Sequence, residues 1–98
     1  MSYDHARYND LKAKILALMK TKGHTEPIEA GGYYLDQNGV WLFKTHAGKY
    51  QPVMKQDFDG LIDEHSLDYL SGTHDTFESH ERTILEGMQE ALTQLTTP

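Results

Sequence analysis

No cysteine occurs in the chain, which excludes a disulfide framework, a thiolate metal site and a cysteine nucleophile and accords with a reducing compartment. Long apolar runs are missing as well. The longest, ILALM at residues 15–19, falls far short of the roughly 20 residues that a membrane helix requires. The opening MSYDHARYND has no basic-then-apolar leader pattern. Together these predict a cytoplasmic protein with no membrane partner. Nucleotide and nucleophile signatures are also absent. AGGYY lacks the lysine and the spacing of a phosphate-binding loop, and Ser66, Ser71 and Ser79 lie in helical or capping contexts rather than on a G-x-S-x-G elbow.

Positive charge is scarce in one half only. Residues 1–56 hold five acids and eight bases, a net of +3, whereas residues 57–98 hold ten acids against Arg82 alone, a net of −9. The total of −6 argues against direct binding of nucleic acid, because phosphate attraction needs clustered lysine and arginine. A chain of 98 residues is long enough for one small core, so residues 1–98 are expected to form a single domain.

The hydropathy pattern changes period along the chain. Tyr8, Leu11, Ile15, Leu18 and Met19 recur at helical spacing between Tyr3 and Lys22, with Ser2 as the expected N-cap and Gly23 as the stop. GHTEPIEAGG reads as a loop. In YYLDQNGVWLFKTHAGKYQPVM, Asn38-Gly39 predicts a two-residue type I′ hairpin that sets Asp36 opposite Trp41, Leu35 opposite Leu42 and Tyr34 opposite Phe43. That register would make one sheet face aromatic and the other aliphatic. HAGK predicts a second turn into YQPVM, and Pro52 makes this last strand an edge.

From Asp57 the period is helical again, with Phe58, Leu61, Ile62, His65 and Tyr69 on one stripe, a possible break at Ser66 and a stop at Gly72. A last helix is expected to open on Asp75 as cap, with Glu78 reaching back to it, and to pack on the sheet through Phe77, Ile84, Met88 and Leu92; Gly87 weakens it. The predicted fold is α+β, with an N-terminal helix, a three-stranded antiparallel meander and two C-terminal helices.

His65, His74 and His80 stand among carboxylates, a common ligand mixture, but His74 and His80 are six apart, about 240° around a helix. No H-E-x-x-H pattern exists, so neither a bound metal nor a cofactor is expected. Ten acids offer many pairs for acid–base work and no specific one, so no catalytic residue is assigned. Glu81 falls inside the apolar arc of the last helix and therefore needs a structural partner or a place at the open end of the core.

The remaining acids lie mostly off the apolar stripes: Asp59, Asp63, Glu64, Asp68, Asp75, Glu78, Glu86 and Glu90. Asp59 with Asp63 and Glu86 with Glu90 repeat at four-residue spacing, where like charges repel by a few tenths of a kcal/mol, roughly, per pair. A basic partner would offset that cost. Carboxylates one helical turn apart are separated by about 6 Å, of the order of successive phosphates on a nucleic-acid strand.

In size, lack of cysteine and charge layout, with the acids of residues 57–90 as its carriers, the chain resembles the small acidic phage-encoded inhibitors, including anti-CRISPR and anti-restriction proteins of the DNA-mimic kind. The resemblance implies a non-enzymatic inhibitor or adaptor that docks those acids on the basic nucleic-acid-binding surface of a partner protein. The alternative is a small hydrolase or metal-dependent enzyme using histidine and carboxylates. Charge complementarity between the +3 and −9 halves also allows a homo-oligomer.

Overall fold

In the computed structural model, residues 3–68 and 77–97 are described, the side chain of Asp68 excepted. The expected roles of Tyr69, Gly72, His74 and Asp75, and the context assigned to Ser71, lie outside the described residues; the N-cap expected of Ser2 is instead Asp4, because the first helix starts at His5.

The chain runs as α1 (His5–Thr21), β1 (Ile28–Ala30), β2 (Tyr33–Leu35), β3 (Trp41–Lys44), β4 (Tyr50–Pro52), α2 (Phe58–Asp68) and α3 (Phe77–Thr96). The fold is α+β. The antiparallel sheet has four strands in the order β1-β2-β3-β4, one more than the pattern suggests. The extra strand is Ile28–Ala30, inside the segment read as a loop. Gly31 and Gly32, at φ of 63° and 87°, make the two-residue turn that pairs Ala30 with Tyr33. Both central residues at positive φ are the mark of a type I′ hairpin. The strand alternates buried, exposed, buried, but over three residues, too few to stand out from a loop.

The Asn38-Gly39 turn is correspondingly of another kind. Gly39 N–H donates to Asp36 O, Asp36 N–H donates to Val40 O, and only Gly39 takes a positive φ, 83°. This is a three-residue loop, a turn followed by a left-handed glycine, and the Asp36 carboxylate fixes it by accepting from the N–H groups of Asn38 and Val40. The observed partners are therefore Tyr34 with Leu42 and Leu35 with Trp41, a slip of one residue from the expected register. A one-residue slip exchanges faces. Tyr33, Leu35 and Trp41 are buried, while Tyr34 pairs with Tyr50 on the other face, ring centroids 5.1 Å apart, so aromatic residues occupy both faces. The second turn repeats the same loop with Gly48 in place of Gly39, and β4 is an edge as Pro52 requires.

α1 begins at Asp4, whose carboxylate accepts from Arg7 N–H, and ends at Gly23, with His24 N–H donating to Met19 O and Gly23 N–H to Lys20 O. This pair of bonds around a left-handed glycine is a Schellman stop. Tyr8, Leu11, Ile15 and Met19 are its buried positions. α3 lies against α1, β1 and α2, burying Ile84, Leu85, Met88, Ala91 and Leu95, with Leu92 half-buried. Phe77 is not an anchor: it is 44% exposed, and the buried side chain one turn further on is His80. Gly87 is the point of closest approach, where α3 meets the Gly31 backbone. No helix among the described residues is long and apolar enough to cross a membrane.

Candidate partner-binding face

α2 and α3 each set an acid against the start of α1: Asp59 meets His5, and Glu81 meets the Asp4 N–H. The Tyr3 hydroxyl is pushed above its ordinary value by burial first, and then by the charges of Asp63, Asp59, Glu81 and Glu78. Two carboxylates from each helix thus act on one phenol. Glu86 and Glu90 are exposed further along α3, about 80° and 120° round the helix from Glu78, and neither has an ion-pair partner among the described residues. Glu78 and Glu90 are twelve residues apart, which sets the extent of the α3 acids at about 18 Å.

Not all of the acids are free to meet a partner. Asp59 accepts from His5 Nε2 at 2.5 Å, and Asp63 lies 3.7 Å from Lys55 Nζ. The repulsion expected of this i, i+4 pair is therefore offset inside the fold, and the argument from repulsion rests on Glu86 and Glu90. Glu81 has the structural role that its place in the apolar arc required: its Oε2 accepts from Asp4 N–H at 2.7 Å. Asp4 caps α1 with its side chain and gives its own N–H to a glutamate on α3, so a reciprocal capping arrangement is completed between two helices. Glu64 is half-buried and lines a groove rather than the acidic face. Asp75 and the side chain of Asp68 are outside the described residues.

His5 and Tyr3 carry no sequence signal for this site, since they stand in the N-terminal segment, over fifty residues from the acids they meet. His5 Nδ1 lies 3.0 Å from Tyr3 O while Nε2 meets Asp59, so both ring nitrogens face acceptors and the doubly protonated ring satisfies both. Its pKa is raised, chiefly by the hydrogen bond to Asp59 and against a smaller lowering by desolvation. The stability that this contact contributes is fully present below the unfolded value of about 6.5 and is lost as pH rises through the higher folded value. At alkaline pH the Asp59 charge is left uncompensated, and the face becomes more negative. In an NMR titration His5 is expected to titrate above the ordinary histidine value, and Asp59→Asn is expected to lower its midpoint. A His5 midpoint unchanged by Asp59→Asn would contradict the contact.

The histidines form a second cluster. His65 of α2 and His80 of α3 are both buried, with their Nδ1 atoms 2.7 Å apart, and the Tyr33 ring packs edge-on to His65. One Nδ1 donates and the other accepts, so the pair is a buried link between the helices. No group of three or more potential metal ligands occurs among the described residues.

Beside α2, a groove of about 800 Å³ runs along the end of the sheet, lined by Tyr34, Phe43, Lys44, Pro52, Met54 and Glu64 among others. Comparisons with models of known protein families, with curated proteins and with solved structures found no match to this chain.

Proposed function

We propose that the protein is a non-enzymatic inhibitor or adaptor of the DNA-mimic type, as anti-CRISPR and anti-restriction proteins are, whose acidic C-terminal helices occupy the basic nucleic-acid-binding surface of a partner in a bacterial cytoplasm. The observation that carries this reading is the exposed pair Glu86 and Glu90 on α3, without an ion-pair partner among the described residues, in a half of the sequence that holds ten acids and Arg82 as its one lysine or arginine. Each exposed ion pair contributes only about 0.2–1 kcal/mol, so affinity comes from several acting together and falls with salt. The alternative reading, a histidine–carboxylate hydrolase, gains little support from the histidine cluster, because the two Nδ1 atoms are engaged with each other in the interior.

The test is capture of partners from a bacterial lysate on immobilised protein, followed by elution with duplex DNA. A retained protein that DNA displaces is expected, and Glu86→Lys with Glu90→Lys is expected to weaken its capture about tenfold or more while leaving the melting temperature nearly unchanged. Capture that is indifferent both to DNA and to the double reversal would reduce the acidic face to a solvated surface.

A further inference from the structure

One exposed apolar patch lies apart from the acidic face. Phe43 is 41% exposed, Tyr50 39% and Met54 89%, all on or just after β3 and β4, and Phe43 and Met54 line the groove together with Glu64 of α2. Glu64 is a half-buried carboxylate with neither a hydrogen bond nor an ion pair among the described residues. Partial burial of an unpartnered carboxylate is costly, and a cation relieves the cost. The cation nearest in the wall is already engaged: Lys44 Nζ sits 5.4 Å from the Tyr50 ring centroid and 5.8 Å from that of Tyr34.

We infer that this groove seats a bulky apolar side chain of the partner flanked by a lysine or arginine, with Phe43 and Met54 covering the apolar group and Glu64 taking the cation. The inference rests on the protein-binding reading above and names the apolar anchor that accompanies its ion pairs. Three observations favour this occupant. The volume of about 800 Å³ holds an aromatic side chain with the residues on either side of it. Met54, unbranched and exposed, adapts to the shape of whatever enters. Glu64 is the one acid in the groove wall, and with Lys44 held against two aromatic rings its charge favours a cation as the neighbour of the apolar group. A nucleic acid is disfavoured at the same place, because its phosphates would meet Glu64.

The experiment uses the whole chain, ¹⁵N-labelled, titrated at low salt with acetyl-Lys-Arg-Phe-Arg-Lys-amide and with the same peptide carrying alanine in place of phenylalanine. Shifts are expected at Phe43, Gln51, Met54 and Glu64, with the phenylalanine peptide bound about tenfold more tightly, as burial of one aromatic ring requires. Glu64→Gln and Met54→Ser, both outside the core, are each expected to weaken it several-fold. Glu86→Lys with Glu90→Lys should weaken both peptides and leave their ratio intact. Equal affinities, with shifts confined to the acids of α3, would overturn the groove and leave the acidic face standing. No shift with either peptide would overturn both. Shifts at the groove that depend on protein concentration in the absence of peptide would assign it to a second copy of the chain and overturn the inference.

Discussion

Gly87→Ala is expected to destabilise the protein by about 2–4 kcal/mol, although alanine is the better helix former by about 1 kcal/mol. A Cβ at Gly87 would lie 2.1 Å from Gly31 N, 2.7 Å from Gly31 Cα and 2.9 Å from Ala30 C. These are backbone atoms of a tight turn and have no rotamer with which to retreat. The contact is also tight from the other side, where a Cβ at Gly31 would meet Ile84 Cα at 2.9 Å and Thr83 O at 3.1 Å. Relief requires α3 to lift off the β1–β2 hairpin, which opens the packing of Ile84 and Met88, both fully buried. Urea titration reads the loss as a lower midpoint, and for a domain of this size each kcal/mol lowers Tm by about 4–8 °C. Gly23→Ala is the control. Its φ of 64° makes alanine unfavourable, yet nothing lies within 4 Å of a Cβ there, so the cost is only about 1–2 kcal/mol. A Gly87→Ala protein as stable as the parent would show that α3 is not seated on the turn.

Gly87 also marks where the sequence was hard to read. Within a single helix a glycine registers only as a weak helix former, and the reason for it lies on Gly31, fifty-six residues earlier. The long helices were legible because Tyr8, Leu11, Ile15 and Met19 on α1, and Ile84, Met88, Ala91 and Leu95 on α3, repeat over several turns. The sheet was legible in outline and not in register. Asn38-Gly39 and Gly31-Gly32 both announce turns, but the type I′ geometry fell to the second pair, because the Asp36 carboxylate organises a longer loop at the first. A local side chain thus decided the register of the whole β2–β3 pair. Of the candidate site, the acids themselves were legible as charge, whereas their counterions were not. His5 reaches Asp59 from α1 and Lys55 reaches Asp63 from the loop before α2, and helical periodicity reports neither contact. Glu81 was legible as an anomaly within an apolar arc, and its answer, the backbone N–H of Asp4, is a group that every residue but proline carries.

Tyr8→Phe and Trp41→Phe are each expected to destabilise the fold, and the double variant by less than the two together. The Trp41 indole N–H donates to the Tyr8 hydroxyl at 2.8 Å, in the interior, with Trp41 wholly buried. Tyr8 lies between Trp41 and Phe58, stacked on the latter at 4.4 Å, so one ring joins α1 to β3 and α2. Burial raises the pKa of its hydroxyl, against a lowering by the indole hydrogen bond and with a further rise from Asp57, which keeps the phenol neutral and available as acceptor. Tyr8→Phe strands a buried N–H at a cost of about 1–3 kcal/mol. Trp41→Phe strands the hydroxyl and leaves part of the indole volume empty, for about 2–4 kcal/mol. Removing both partners strands neither, so the double variant should recover about 1 kcal/mol relative to the sum. The Trp41 backbone does not offset these losses, since its N–H and carbonyl are already taken by the Gln56 side-chain amide, at 2.7 and 3.0 Å, whichever side chain it bears. Urea unfolding followed by far-UV circular dichroism measures all four proteins. In the two that keep it, fluorescence of Trp41, the single tryptophan of the chain, reports whether the indole stays buried after Tyr8→Phe. Strictly additive losses would mean that the hydrogen bond contributes nothing beyond the packing of the two rings.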